Sequence, residues 1–198
     1  MSLSLEATST LIRSRRTVKP ADMDAARAID PALLTELLEN ASWAPTHGLT
    51  EPWRFHVFTG AARARLATDM QRIYREITPA DAFRDDKHDK LGKNPLLAPV
   101  IIAAIMERRG GDKIPEIEEI EAVACALQNL ALSAAAAGLG FFWSSPPLIY
   151  DRRFHDWLGI RPEDRCVGLV YLGWPKAGAA QPKSTRTPIL EKVTFTDA

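Results

Sequence analysis

The stretch "AVACALQNLALSAAAAGLGFFW", residues 122–143, decides the architecture. It is the longest apolar run in the chain, and a membrane-spanning helix needs about 20 predominantly apolar residues. Here Gln128, Asn129 and Ser133 interrupt the run, alanine dominates it, and Gly138-Leu139-Gly140 closes it. The pattern predicts a buried helix over 117–137 of a soluble protein, stopped by Gly138, and then a strand starting at "GFFW", 140–143. The order carries information. A dinucleotide fingerprint runs strand, glycines, helix; this run is helix, glycines, strand, so a Rossmann reading fails on context.

The flanking segments predict a mixed fold of helices and strands. "PVIIAAI" at 99–105 is continuously apolar, as expected of a central strand, and "CVGLVYLGW" at 166–174 is a second buried strand. "WRFHVFT" at 53–59 is aromatic and β-branched, a third strand. Asp30-Pro31 starts a helix as N-cap and first-turn proline, with Leu33, Leu34, Leu37, Leu38 and Ala41 at helical spacing up to Pro45. Residues 61–77 repeat that spacing through Leu66, Met70, Ile73 and Ile77, and Asp151 caps a short helix through Trp157. A first helix over 4–14 is expected to turn Leu5, Leu11 and Ile12 inward. Residues 78–95 read as a mobile polar segment with some helix, 108–116 as a loop, and "VTF" at 193–195 as a short terminal strand.

Composition narrows the function. A chain of 198 residues with 46% hydrophobic residues suits one domain, 1–198. Lysine plus arginine total 25 and aspartate plus glutamate 25, which argues against nucleic acid or an anionic membrane as main partner. Cys125 and Cys166 form no CxxC pair and are expected to be reduced, buried thiols of a cytoplasmic protein. The N-terminus lacks the apolar core of a signal peptide. His47, His56, His88 and His155 show no metal-ligand spacing, so no metal is expected. No GxSxG or P-loop is present.

Two segments remain. "SRRTVKP", 14–20, gathers arginine forks and a hydroxyl, a combination that matches a phosphate. The same residues would equally serve as the basic C-terminal end of the first helix, favourable to its dipole. "WAPTHGLTEPWRF", 43–55, is a proline-fixed, aromatic loop between helix and strand. Its Trp43, His47 and Trp53 would form either one wall of a pocket for a flat ring or a structural turn with tryptophans in the core.

In order and spacing, "RRTVKP", "APTHGLTEPWRFHVF", "GLGFFWSS" and "VGLVYLGWPK" resemble the nitroreductase family of FMN-dependent oxidoreductases, in particular its short members, over about residues 11–188. The resemblance implies an α+β, three-layer fold: a central, mainly antiparallel sheet flanked by helices. It also implies a homodimer with an exchanged C-terminal tail and FMN at the interface. NADH or NADPH would pass a hydride to flavin N5, and an electron-poor small molecule, a nitroaromatic or quinone, would take the electrons.

By the same resemblance Arg15, Arg16 and Thr17 grip the FMN phosphate, with Arg186 as a second phosphate-binding arginine and Lys183 a weaker candidate. Lys19 would stand at the flavin pyrimidine edge, where a cation stabilises charge on the reduced ring; its other reading is a surface lysine. Trp43 and His47 would touch FMN across the dimer interface, and the backbone of Trp143, Ser144 and Ser145 would pass beside the ring. The family's N-x-Q-P-W pattern is broken by Leu49 and Glu51; Glu51 would need Arg54 or Arg16 as partner. No catalytic acid or base is required, because the cofactor carries the chemistry. Two other classes stay open: an FMN-binding module or a relative repurposed for flavin fragmentation or dehalogenation, and a dimeric structural protein without cofactor.

Overall fold

β2, Val100–Met106, is buried along its whole length, as a strand covered on both faces must be. The computed structural model of the chain describes residues 4–179 and 183–196. In it β2 pairs with β1, Trp53–Thr59, on one side and β4, Arg165–Gly173, on the other, and β4 pairs with β3, Gly140–Ser144. All three pairings are antiparallel, giving the order β1-β2-β4-β3.

Helices cover both faces. On one face lie α2, Pro31–Ser42, and α5, Glu116–Ala136, whose Leu37, Ala41, Val123, Leu127 and Leu130 meet Ile102, Ala104, Val170 and Leu172. On the other lie α3, Ala62–Ile77, and α6, Arg152–Leu158, whose Leu66, Met70, Ile73 and Phe154 meet Ile101, Ala103, Leu169 and Tyr171. This is the three-layer α+β arrangement expected from the sequence. The capping signals act as expected. The Asp30 carboxylate accepts from the Ala32 N–H at 2.7 Å, Asp151 accepts from the Arg153 N–H at 2.9 Å, and Gly138 follows α5 with φ +77°. α4, Asp85–Lys93, supplies the helix within 78–95 and packs on α3.

Several expectations need correction. α1, Leu5–Ser14, has no buried residue; Leu5 is 81% and Ile12 50% exposed. It rests on α5, and Leu11 is half-buried there while Leu5 and Ile12 stay exposed. Cys125 is exposed, because α5 buries one face only. Cys166 is buried, and burial pushes its thiol up to about 12. Val193–Phe195 form no strand, and residues 183–196 are exposed throughout. No helix among the described residues is long and apolar enough to cross a membrane.

The loop after β2 is built around two buried carboxylates. Glu119, 1% exposed, bonds to the Arg108 guanidinium and accepts from the backbone N–H groups of Arg109 at 3.1 Å and Gly110 at 2.9 Å. Asp164, 4% exposed, accepts from the Arg108 N–H at 2.8 Å and from Arg161 at 2.8, 3.0 and 3.1 Å. Burial would raise the Asp164 pKa, but these bonds from Arg161 and Arg108 outweigh it and hold the carboxyl below its ordinary value.

Candidate functional site

The basic segment is laid against the sheet by its own backbone. α1 ends at Ser14, Thr17 bridges to Phe141, and the Val18 N–H donates to the Phe141 carbonyl at 3.1 Å. That approach requires a glycine in β3, since a Cβ on Gly140 would lie 2.8 Å from Val18 Cβ. The chain leaving α1 therefore holds its arginines at a fixed place beside α5.

There a cleft of about 550 Å³ is lined by Ile12, Arg13, Arg15, Arg16, Gln128, Ser184 and Arg186. Among the described residues no carboxylate lines it, and four arginines gather there in a chain of zero net charge. Arg186 bonds to the Ser184 hydroxyl and donates to the Thr185 carbonyl at 2.8 Å. Arg16 donates to the Arg13 carbonyl and, at 2.9 Å, to the Arg15 carbonyl. Among the described residues no carboxylate pairs with Arg13, Arg15 or Arg186. Like charges gathered this closely repel, and an anion carrying two or more negative charges relieves that repulsion with charge-assisted bonds. The geometry thus joins Arg15, Arg16 and Arg186, which lie far apart in sequence. It adds Arg13, Gln128 and Ser184. Gln128 had a sequence signal, since it breaks an alanine-rich run; Ser184 had none. Lys183 and Lys19 are exposed and do not line the cleft.

The 43–55 loop splits between its two readings. Trp53 is core, 6% exposed and packed with α2 and α5, while Trp43 is 84% exposed. His47 Nδ1 stands 2.6 Å from Glu118 Oε2 in the first turn of α5. Ten residues separate Glu118 from Gln128, about 15 Å along the helix axis. Within one chain, then, His47 does not reach the arginine cleft, and Trp43, which follows Asn40 at the Asn129 level of α5, is not among its lining residues. Arg54 bonds to the Glu107 carboxylate and reaches Glu51 only at its main-chain carbonyl, 3.1 Å away. Leu49 and Glu51 hold φ of +53° and +43°, the left-handed region that side chains disfavour. A Thr46–Thr50 hydroxyl bond of 2.9 Å and the Glu51 N–H on Thr46 Oγ1 at 3.3 Å hold this conformation. Backbone strain kept on an exposed loop is a mark of binding segments, and sequence pattern alone did not reveal it.

Trp143 is positioned by an irregularity in β4. The β2–β4 register shifts so that Val167 faces no β2 residue, and the Val167 carbonyl accepts from Trp143 Nε1 at 3.3 Å. The indole lies over Gly168, where a Cβ would come within 2.0 Å of Nε1. Alternation along β3 sends Ser144 to the opposite face, toward α3 and α4. Ser145 is exposed just past the strand.

Comparison with known proteins agrees with this frame. The family model described as Nitroreductase family matches residues 12–174. YdjA of Escherichia coli (strain K12), named as an NAD(P)H nitroreductase, is 31% identical over 79% of this chain and 85% of its own length. The crystal structure of a nitroreductase-like family protein from Bacillus cereus superposes with a TM-score of 0.80 at 27% identity, covering 100% of both chains. The FMN-dependent nitroreductase NfnB from Mycobacterium smegmatis, crystallised with NADPH, shares the fold at a TM-score of 0.72 and 19% identity, over 97% of this chain and 99% of its own.

Proposed function

The chain belongs to the nitroreductase family, and from that premise we propose that it is an FMN-dependent NAD(P)H oxidoreductase reducing an electron-poor acceptor such as a nitroaromatic or a quinone. One observation carries the cofactor reading: Arg13, Arg15, Arg16 and Arg186 line one cleft whose described lining includes no carboxylate, an environment suited to a phosphate monoester. FMN, when bound, supplies hydride chemistry that no side chain here provides. The residues of the chain bind and orient it. Arg15, Arg16 and Arg186 neutralise the phosphate, and the Thr17 hydroxyl, beside β3, adds a donor. Trp143, held on Gly168, and the Ser144–Ser145 backbone border the ring, and Lys19 offers positive charge at its pyrimidine edge.

The working unit in this reading is a homodimer of one domain, 1–198, in the cytoplasm. Two facts support it: His47 contacts Glu118, about 15 Å along α5 from Gln128 in the cleft of its own chain, and Ile117, Ile189, Leu190 and Phe195 are exposed. Each chain would lend Trp43 and His47 to its partner's flavin.

Titrating apo-protein with FMN and with riboflavin, and then following NADH and NADPH oxidation with a quinone, tests the proposal. The expected result is FMN binding tighter than riboflavin by about tenfold or more, with turnover that depends on FMN. Equal affinities would remove the phosphate role. Tight FMN binding with no turnover of either nicotinamide would leave a binding module.

A further inference from the structure

Glu116, Glu118 and Glu119 open α5. Negative charge in a first turn suits the helix dipole, and two of these residues also tie the helix to the rest of the fold. Glu116 pairs with Arg165 of β4 at 2.8 Å, and Glu119 is the buried partner of Arg108. Glu118 differs. Its side chain is 38% exposed, and its carboxylate meets Nδ1 of His47, on the 43–55 loop, at 2.6 Å. An ion pair this exposed contributes little to stability.

The loop side of the contact is fixed by backbone geometry. His47 opens a short turn, His47–Leu49, in which Gly48 has φ +60° and Leu49 φ +53°. A Cβ on Gly48 would lie 3.0 Å from Ile114 Cδ1, so the turn is seated against the chain that leads into α5. The imidazole is thereby held at Glu118 while 62% of the His47 side chain stays exposed. A carboxylate only accepts, so the ring nitrogen that faces it carries the proton. With Nδ1–H committed to Glu118, Nε2 is the nitrogen left for a ligand, and on the neutral ring it is an acceptor.

We propose that Glu118 is a positioning residue for flavin binding. It fixes the His47 tautomer so that Nε2 meets a flavin donor, N3–H or a ribityl hydroxyl, and not a ring carbonyl oxygen. The inference rests on the reading that His47 touches the flavin of the partner subunit. The arginine cleft bears on the phosphate and Glu118 on another part of the cofactor, so experiment separates the two.

Proton–nitrogen correlation spectra of the labelled protein at about pH 8, where an ordinary imidazole is neutral, report the ring proton with and without FMN. Fluorescence titrations with FMN and riboflavin report affinity. In the wild type, His47 is expected in the Nδ1–H form before flavin is added. Glu118→Ala should give both tautomers and weaken FMN and riboflavin alike, by about two- to tenfold, whereas the arginine variants weaken FMN alone. Glu118→Gln keeps an acceptor oxygen in place and should restore most of the affinity. Because Glu118 acts through His47, adding Glu118→Ala to His47→Ala should cost nothing further. The melting temperature should not change, which separates positioning from a structural role. A wild-type His47 protonated on Nε2 alone, a further loss in the double variant, or unchanged affinity in Glu118→Ala where His47→Ala binds more weakly would overturn the proposal. Unchanged affinity in His47→Ala would refute the placement of His47 at the flavin, and no flavin binding by the wild type would refute the cofactor reading; either result removes the positioning role with it.

Discussion

Replacing Arg186 with alanine removes one of four guanidiniums from the cleft at the end of α1. Its bonds within the fold are local, to Ser184 and Thr185, and the residue is exposed, so the apo-protein should keep its stability within about 0.5 kcal/mol. Arg15→Ala should behave alike, because Arg15 closes α1 through its backbone N–H on the Leu11 carbonyl, which alanine retains. The cost falls on the anion. One charge-assisted hydrogen bond to a phosphate contributes about 1.5–3 kcal/mol, and each 1.4 kcal/mol is about tenfold in affinity. Each variant should therefore bind FMN about 10- to 100-fold more weakly while binding riboflavin unchanged. The wild-type preference for FMN over riboflavin should also shrink as salt rises, since an exposed cluster is screened. Flavin fluorescence titrations at two ionic strengths, with thermal melts of apo-protein, measure all of this. FMN affinity unchanged in both variants would refute a phosphate role for the cleft; an equal loss for riboflavin would show that the arginines act on something other than the phosphate.

Gly168→Ala should drive the Trp143 indole off β4 and break its bond to Val167, at a cost of about 1–2 kcal/mol with a shift in tryptophan emission; an unchanged spectrum and melt would contradict the placement of Trp143. Asp164 has a depressed pKa in the folded state, so its stabilisation is complete above the unfolded value of about 3.9 and is lost as pH falls through the lower folded value. Asp164→Asn should lose about 2 kcal/mol at neutral pH and show a flatter decline in melting temperature below about pH 4; equal acid profiles would rule out that linkage. Truncation after Pro188 removes the exposed Ile189, Leu190 and Phe195, and should weaken both dimerisation and flavin retention by sedimentation and absorbance. A truncated protein that stays dimeric and fully flavinated would exclude an exchanged tail.

What the sequence determined by itself is what depends on neighbouring residues. The starts of α2 and α6 follow from Asp30-Pro31 and Asp151, whose side chains cap their own first turns. The end of α5 follows from Gly138, and the centre of the sheet from the unbroken apolar run of β2. The arginine pair was legible as an anion grip with one alternative, because charge density along a chain is a local quantity. Only the tertiary structure decided which distant groups meet. It brought Gln128 and Ser184 to the arginines and set Trp143 on Gly168 through the β4 register shift. It also placed Leu5, Ile12 and Cys125 outside, against expectation. The physical reason is that hydrophobicity reports a preference for leaving water without specifying the surface that receives the side chain. Periodicity marks a helix face, but packing selects which face is covered: α5 packs on the sheet and on α1, while α1 has no buried residue.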